Sequence, residues 1–133
     1  MHCPRHGSTL ALLGLVALLH GCGSGDQGVP TEVEIHDSWL VHLTNPNGGD
    51  GAALFAVAAP GVRSIDGVDD QVYLRQIGDK INVMVLRPDP GLLTFRIQLR
   101  TAAAQPDVQI LQVSSGDNRL RDVASYGVVV TGE

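Results

Sequence analysis

The stretch Leu93-Thr-Phe-Arg-Ile-Gln-Leu-Arg100 decides the fold class of this chain. Its odd positions are all apolar, and its even positions are all polar or charged. Strict alternation is the pattern of a β-strand, because successive side chains of a strand point to opposite faces of its sheet. The stretch therefore predicts a strand with one face in a hydrophobic core and the other face in water.

The segment that begins at Thr31 has the same period of two. Most of its apolar residues share the odd positions, with Leu40 as the exception: Val33, Ile35, Trp39, Val41 and Leu43. Asp37 interrupts this apolar face, so we expect a β-bulge or a break between two strands at that position.

Turn sequences divide the rest of the chain into further short apolar segments. Gly78-Asp79-Lys80 separates two such segments and predicts a hairpin with a three-residue loop. We expect Pro88-Asp89-Pro90-Gly91 to close this hairpin unit. Short strands that recur about every 8–12 residues are typical of a β-sandwich or a small barrel. We predict an all-β fold, an antiparallel β-sandwich of about seven to nine short strands over residues 32–133.

The N-terminal segment reads as an export signal. Residues 1–21 carry Arg5 and no acidic residue, and Leu10–Leu19 is an uninterrupted apolar run. A run of this length suits the central region of a signal peptide, whereas a transmembrane helix needs about 20 apolar residues. We therefore predict a signal-peptide helix at residues 1–21, ahead of the β-domain. A buried core helix is the less favoured alternative for this run.

The end of this segment resembles the lipobox of bacterial lipoproteins. Leu19-His20-Gly21-Cys22 has Leu at −3, a small residue at −1 and Cys at +1, although His20 departs from the usual residue at −2. The resemblance implies cleavage before Cys22 and a lipid on its thiol, with residues 22–31 as a flexible tether. It also implies an exported protein anchored to the membrane through Cys22. Since Gly23 follows Cys22, analogy with Gram-negative lipoproteins points to the outer membrane.

Charge and cysteine content are consistent with this interpretation. Removal of the signal takes Arg5 and Cys3 away, which leaves Cys22 as the single cysteine and eight basic against fourteen acidic residues, a net charge of −6. An exported domain with one cysteine has no internal disulfide, and acylation accounts for the unpaired thiol. A negative chain without a basic cluster argues against nucleic acid as a partner.

The order of the predicted strands resembles the cohesin-like and immunoglobulin-like sandwiches of bacterial surface proteins. The stretches that carry this resemblance are Gly51-Ala-Ala-Leu-Phe-Ala-Val57, Gly91-Leu-Leu-Thr-Phe-Arg-Ile97 and Tyr126-Gly-Val-Val-Val130. The resemblance covers roughly residues 50–131 and implies the fold more than any activity. In related domains the sandwich binds a dockerin domain or carbohydrate, or merely spaces other domains.

Two groups of residues are candidate ligand sites. Asp66, Asp69 and Asp70 crowd one loop and are candidate ligands of a structural Ca²⁺ ion, the one cofactor that the sequence suggests. Turns are rich in Asp for conformational reasons alone, so a plain turn is the alternative. The second group, Trp39, Tyr73 and Tyr126, forms a candidate face on which a sugar could stack. Trp39 shares the odd positions of its strand with the apolar residues Val41 and Leu43, which favours a place in the core instead.

No constellation in the sequence supports catalysis. His36-Asp37-Ser38 contains the residue types of a catalytic triad, but on a strand Asp37 points away from both neighbours. We therefore predict a non-enzymatic envelope protein whose sandwich is an interaction or adhesion module for a protein or polysaccharide of the envelope. The alternative is a cohesin-like domain that binds carbohydrate or a dockerin.

Overall fold

The structure is a computed structural model that describes residues 31–133. This part of the chain contains nine strands and one 3₁₀ turn, Val123–Ser125. In chain order the strands are β1 His36–Thr44, β2 Asp50–Ala58, β3 Val62–Gly67, β4 Gln71–Ile77, β5 Lys80–Gly91, β6 Thr94–Ala103, β7 Asp107–Ser115, β8 Leu120–Arg121 and β9 Gly127–Gly132. The predicted signal peptide and Cys22 lie outside the described residues, as does all of the predicted tether except Thr31.

The strands form two sheets. The four-stranded sheet has the order β3-β6-β1-β9, and the five-stranded sheet has the order β4-β5-β2-β7-β8. Every strand pair is antiparallel. The predicted antiparallel β-sandwich is therefore confirmed, and its nine strands fall within the predicted number.

One hydrophobic core joins the inner faces of the two sheets. Phe95 of β6 and Phe55 of β2 are both fully buried, and their ring centroids lie 5.1 Å apart. The same cluster contains Trp39 and Val41 from β1 and Val83 from β5. Burial of large apolar side chains from both sheets is the main favourable contribution to folding, at about 25 cal/mol per Å² of apolar surface.

The alternation that the sequence shows is seen in β6 and in most of β1. Leu93, Phe95, Ile97 and Leu99 are all buried, as the pattern predicts. The register between β1 and β6 shifts between His36 and Ser38, which confirms the irregularity expected at Asp37.

Three details of the sequence interpretation are wrong. Val33 and Ile35 are 66% and 62% exposed rather than buried, because β1 begins only at His36 and the residues before it lie outside both sheets. The hairpin between β4 and β5 has a two-residue loop, since Ile77 pairs directly with Lys80. Pro88-Asp89-Pro90-Gly91 does not close the hairpin unit; these residues continue β5.

Within the described residues, no helix is long and apolar enough to cross a membrane.

Candidate binding face

The outer face of the five-stranded sheet carries a row of apolar side chains that crosses three strands. Tyr73 of β4 pairs with Met84 of β5, and Met84 pairs with Leu54 of β2. These three residues, the apolar row, alternate with residues that point into the core, such as Val83 and Phe55. Tyr73 is 57% exposed, Met84 is 41% exposed, and Leu54 is half-buried. Soluble domains seldom expose several large apolar side chains next to one another on the surface of a sheet.

Two shallow depressions flank the apolar row, and Leu54 and Met84 line both of them. The depression on the β7 side has a volume of about 230 Å³ and is bounded by Leu120, which is 69% exposed. The depression on the β4 side has a volume of about 260 Å³ and includes Tyr73 and Asn82. Both are open and shallow, which fits a flat partner surface better than an enclosed small molecule.

The electrostatics of this face differ from those of the chain as a whole. The complete sequence has a formal net charge of −5, but no acidic residue occurs within 51–58, 71–77 or 80–86, the parts of β2, β4 and β5 that form the face. Arg75 pairs with Asn82 in the row next to the apolar row, and Lys80 lies at the start of β5. The face is therefore apolar at its centre and charged at one end, where Arg75 and Lys80 are accompanied by Asp79 in the β4–β5 loop and by Asp107 of β7, which pairs with Ala58.

The three aromatic residues of the predicted ligand face do not come together. Trp39 is 1% exposed and lies in the core, where its indole Nε1 donates to the carbonyl of His36. Tyr126 is half-buried, and its hydroxyl donates to Asp50. Tyr73 alone has its ring on the outer face of the five-stranded sheet, so a stacking platform made of all three rings does not exist.

A buried polar cluster was missed in the sequence. Asp50, the first residue of β2, has no exposed surface. Its Oδ1 accepts a 2.9 Å hydrogen bond from the Tyr126 hydroxyl and lies 3.2 Å from Nε of Arg121. Its Oδ2 is buried without a hydrogen-bond partner. The Arg121 guanidinium also donates to the carbonyl of Gly48, so the cluster joins the β1–β2 turn to β8 and to the residue before β9.

The contacts within this cluster stabilise the fold. The Tyr126 hydroxyl and the Arg121 guanidinium both face Oδ1 of Asp50, which offsets part of the cost of burying this polar group. The cluster fixes the end of the sandwich where β2, β8 and β9 meet. Asp50 stands in a run of turn residues, Asn45–Gly51, and nothing in the sequence distinguishes it from the exposed members of that run.

The three candidate calcium ligands have separate roles. Asp70 has a fully buried side chain whose Oδ2 accepts a 2.8 Å hydrogen bond from the backbone N–H of Thr94, and its Oδ1 lies 3.5 Å from Nε of Arg87. Asp66 is exposed and accepts a hydrogen bond from Ser64, and Asp69 is exposed. Among residues 31–133, no group of three or more His, Cys, Asp or Glu side chains is placed to hold a metal ion.

The shortest ion pair within residues 31–133 lies on the opposite sheet. Arg96 Nε is 2.6 Å from Oε2 of Glu133, and the hydroxyl of Ser38 donates to the same oxygen at 3.1 Å. The hydrogen bond from Arg96 is the largest influence that lowers the pKa of Glu133, with a smaller contribution from Ser38. The same bond raises the pKa of Arg96. Arg96 is therefore paired with a carboxylate of its own chain.

Comparisons with known proteins add no family assignment. No family model matches the chain, and no curated protein or solved structure matches it. The fold class rests on the two sheets, and the resemblance to cohesin-like domains stays a prediction.

Proposed function

We propose that this chain is a non-enzymatic, lipid-anchored protein of the cell envelope, and that its β-sandwich binds another envelope molecule through the outer face of the five-stranded sheet. The observation that carries the binding face is the solvent-exposed apolar row of Tyr73, Met84 and Leu54. An exposed apolar patch on a soluble domain is a frequent mark of an interaction site. The proposed localisation rests on Cys22 and the sequence before it.

A protein is the favoured class of partner. The face has a row of aliphatic and thioether groups at its centre and a single aromatic ring at its edge, whereas sugar-binding faces use several rings for stacking. Arg75 and Lys80 at one end of the face would meet acidic groups on the partner. We therefore expect a partner surface that is apolar at its centre and has a charged rim, with acidic groups opposite Arg75 and Lys80.

A polysaccharide is the second candidate, and one observation favours it. Tyr73 is 57% exposed and lines one depression together with the amide side chain of Asn82, and the amide side chains of Gln112 and Asn118 line the other depression. Amide groups can hydrogen-bond sugar hydroxyls while the ring stacks on the sugar. Digestion of the envelope with a protease or with glycan-degrading enzymes before the binding assay distinguishes the two classes.

The proposed lipid anchor is tested by the intact mass and the membrane partition of the mature protein, with Cys22→Ser as the comparison. We expect the wild type to carry a lipid mass on Cys22 and to sediment with membranes. We expect the variant to be unprocessed or soluble. A soluble, unlipidated wild type would contradict the lipid anchor.

The binding face is tested with the full chain carrying Cys22→Ser, so that no lipid contributes to binding. Met84→Lys places a charge in the apolar row, and Val129→Lys is the matched control. Val129 lies on β9 of the other sheet and is also 41% exposed. We expect Met84→Lys to weaken co-sedimentation with isolated envelopes at least about tenfold, which is ~1.4 kcal/mol. Val129→Lys is expected to bind like the parent, and equal binding of both variants would contradict the proposal.

A further inference from the structure

Strand β4 is an edge of the five-stranded sheet that nothing in the described chain covers. It pairs with β5 alone, and six of its seven residues are exposed. The other edges are less open. β8 has only two residues, β3 carries the charged residues Arg63 and Asp66, and four of the six residues of β9 are half-buried.

The hairpin geometry shows which backbone groups of β4 are free. Gly78 has φ 62° at the first position of the two-residue loop, as a type II′ turn requires, and Ile77 pairs with Lys80 beside it. The pair that closes such a hairpin exchanges both hydrogen bonds, and hydrogen-bonded and non-hydrogen-bonded pairs then alternate along the strands. The N–H and C=O groups of Val72, Leu74 and Gln76 therefore point away from β5, toward the open edge.

The side chains of β4 lack the usual protection of an edge strand. Natural edge strands carry lysines, prolines or bulges that block pairing with another chain. β4 has no proline, pairs with β5 without a register shift, and has Arg75 as its one charged residue. Leu74 pairs with the buried Val83 but is itself 50% exposed.

We propose that β4 pairs antiparallel with β4 of a second copy of this chain, across a two-fold axis at Leu74. This is the register in which all seven residues are paired: Leu74 faces Leu74 of the second copy, and Val72 faces Gln76 of the second copy. It uses all the free backbone groups of the edge, because Val72, Leu74 and Gln76 then form the hydrogen-bonded pairs. The product is a continuous ten-stranded sheet.

Side-chain complementarity selects this register and direction. Tyr73 faces Arg75 of the second copy, and the two-fold axis repeats the contact. This pair is not hydrogen-bonded through the backbone, so the two side chains approach closely, and a guanidinium over a tyrosine ring is attractive. The two Leu74 side chains meet on the other face and cover each other. A parallel, in-register pairing would instead place Arg75 against Arg75 of the second copy, which is unfavourable.

Sedimentation velocity of the full chain carrying Cys22→Ser tests the proposal. We expect a concentration-dependent dimer in this parent, and a dimer at least tenfold weaker with Leu74→Lys, because two ammonium groups then face each other at the axis. Leu111→Lys is the control, since Leu111 is 46% exposed on β7, away from the edge. The fluorescence of the buried Trp39 reports that each variant is folded. A parent that stays monomeric up to about 1 mM, or equal effects of both variants, would overturn the proposal.

Cysteine cross-linking tests the register in a chain with Cys3→Ser and Cys22→Ser. With Leu74→Cys, the two thiols belong to a hydrogen-bonded pair whose Cα atoms are about 5.5 Å apart, within the range for a disulfide. With Gln76→Cys, the two positions are offset by four residues, or about 13 Å. We expect oxidation to link the first variant and not the second. Equal linkage of both variants would overturn the register. A dimer that persists with Met84→Lys would show that the β4–β4 contact is distinct from the proposed binding face.

Discussion

The hydroxyl of Tyr126 donates a 2.9 Å hydrogen bond to Oδ1 of Asp50, a carboxylate with no solvent-exposed surface. The two residues are 76 positions apart in the chain, so this bond ties the residue before β9 to the start of β2. A buried carboxylate depends on its donors, because removal of one leaves an oxygen that water cannot reach.

Tyr126→Phe is therefore expected to lower the free energy of unfolding by about 1.5–3 kcal/mol, the usual contribution of a hydrogen bond to a charged group. Urea unfolding followed by Trp39 fluorescence measures this value. Tyr73→Phe is the matched control, because its hydroxyl is exposed and makes only a 3.4 Å contact with Gln71. Equal stability of the two variants would show that Asp50 does not depend on Tyr126.

Asp70 gives a second prediction of the same kind. Asp70→Ala removes a buried carboxylate that holds the backbone of Thr94 and faces Arg87, and loss of one partner of a buried pair costs about 3–5 kcal/mol. Arg87 keeps partial access to solvent, so the lower end of this range is expected. The exposed neighbour Asp69 is the control, and Asp69→Ala should change stability by less than about 0.5 kcal/mol. If Asp69→Ala lowered the free energy of unfolding as much as Asp70→Ala, the stabilising role of the buried Asp70 carboxylate would be contradicted.

Metal removal tests the calcium prediction directly. Because the Asp70 carboxylate already has two partners within the fold, we expect the same Tm in excess EDTA and in excess Ca²⁺. Differential scanning calorimetry measures both conditions on one preparation. A higher Tm in Ca²⁺ that disappears in a chain with Asp66→Ala and Asp69→Ala would establish a calcium site at this loop.

Much of the fold could be predicted from the sequence, because alternation is a local property of a strand. β6 and the second half of β1 were predicted to the correct face, and so was the irregularity at Asp37. Val33 and Ile35 show that local alternation does not by itself determine burial. Both occupy odd positions, like the buried apolar residues of β1. A side chain is buried only if its segment joins a sheet, however, and pairing with β6 begins at His36.

The candidate face could not be predicted in the same way. Leu54 and Met84 become neighbours because β2 pairs with β5, two strands that are not consecutive in the chain. No local pattern encodes that pairing or its register. The burial of Asp50 has the same cause, since its ion-pair partner comes from β8 and its hydrogen-bond donor is the residue before β9.

The ion pair between Arg96 and Glu133 predicts a small dependence of stability on pH. The folded state lowers the pKa of Glu133, so its stabilising contribution is complete above the ordinary pKa of about 4.3 and is lost as the pH falls through the lowered, folded-state pKa. Glu133→Gln should therefore lower the Tm slightly at pH 7, and the difference from wild type should shrink in acid. Glu32→Gln, at an exposed position ahead of β1, is the control. A difference that grows in acid would contradict the assigned direction.

Site-specific photo-cross-linking in living cells tests most directly whether the outer face of the five-stranded sheet is the binding surface. A photoreactive residue replaces Met84 in one strain and Val129, which has the same exposure on the other sheet, in a second strain. We expect a discrete covalent adduct from position 84, one that protease treatment removes if the partner is a protein, and none from position 129. Equal labelling at the two positions, or no adduct at position 84, would contradict it.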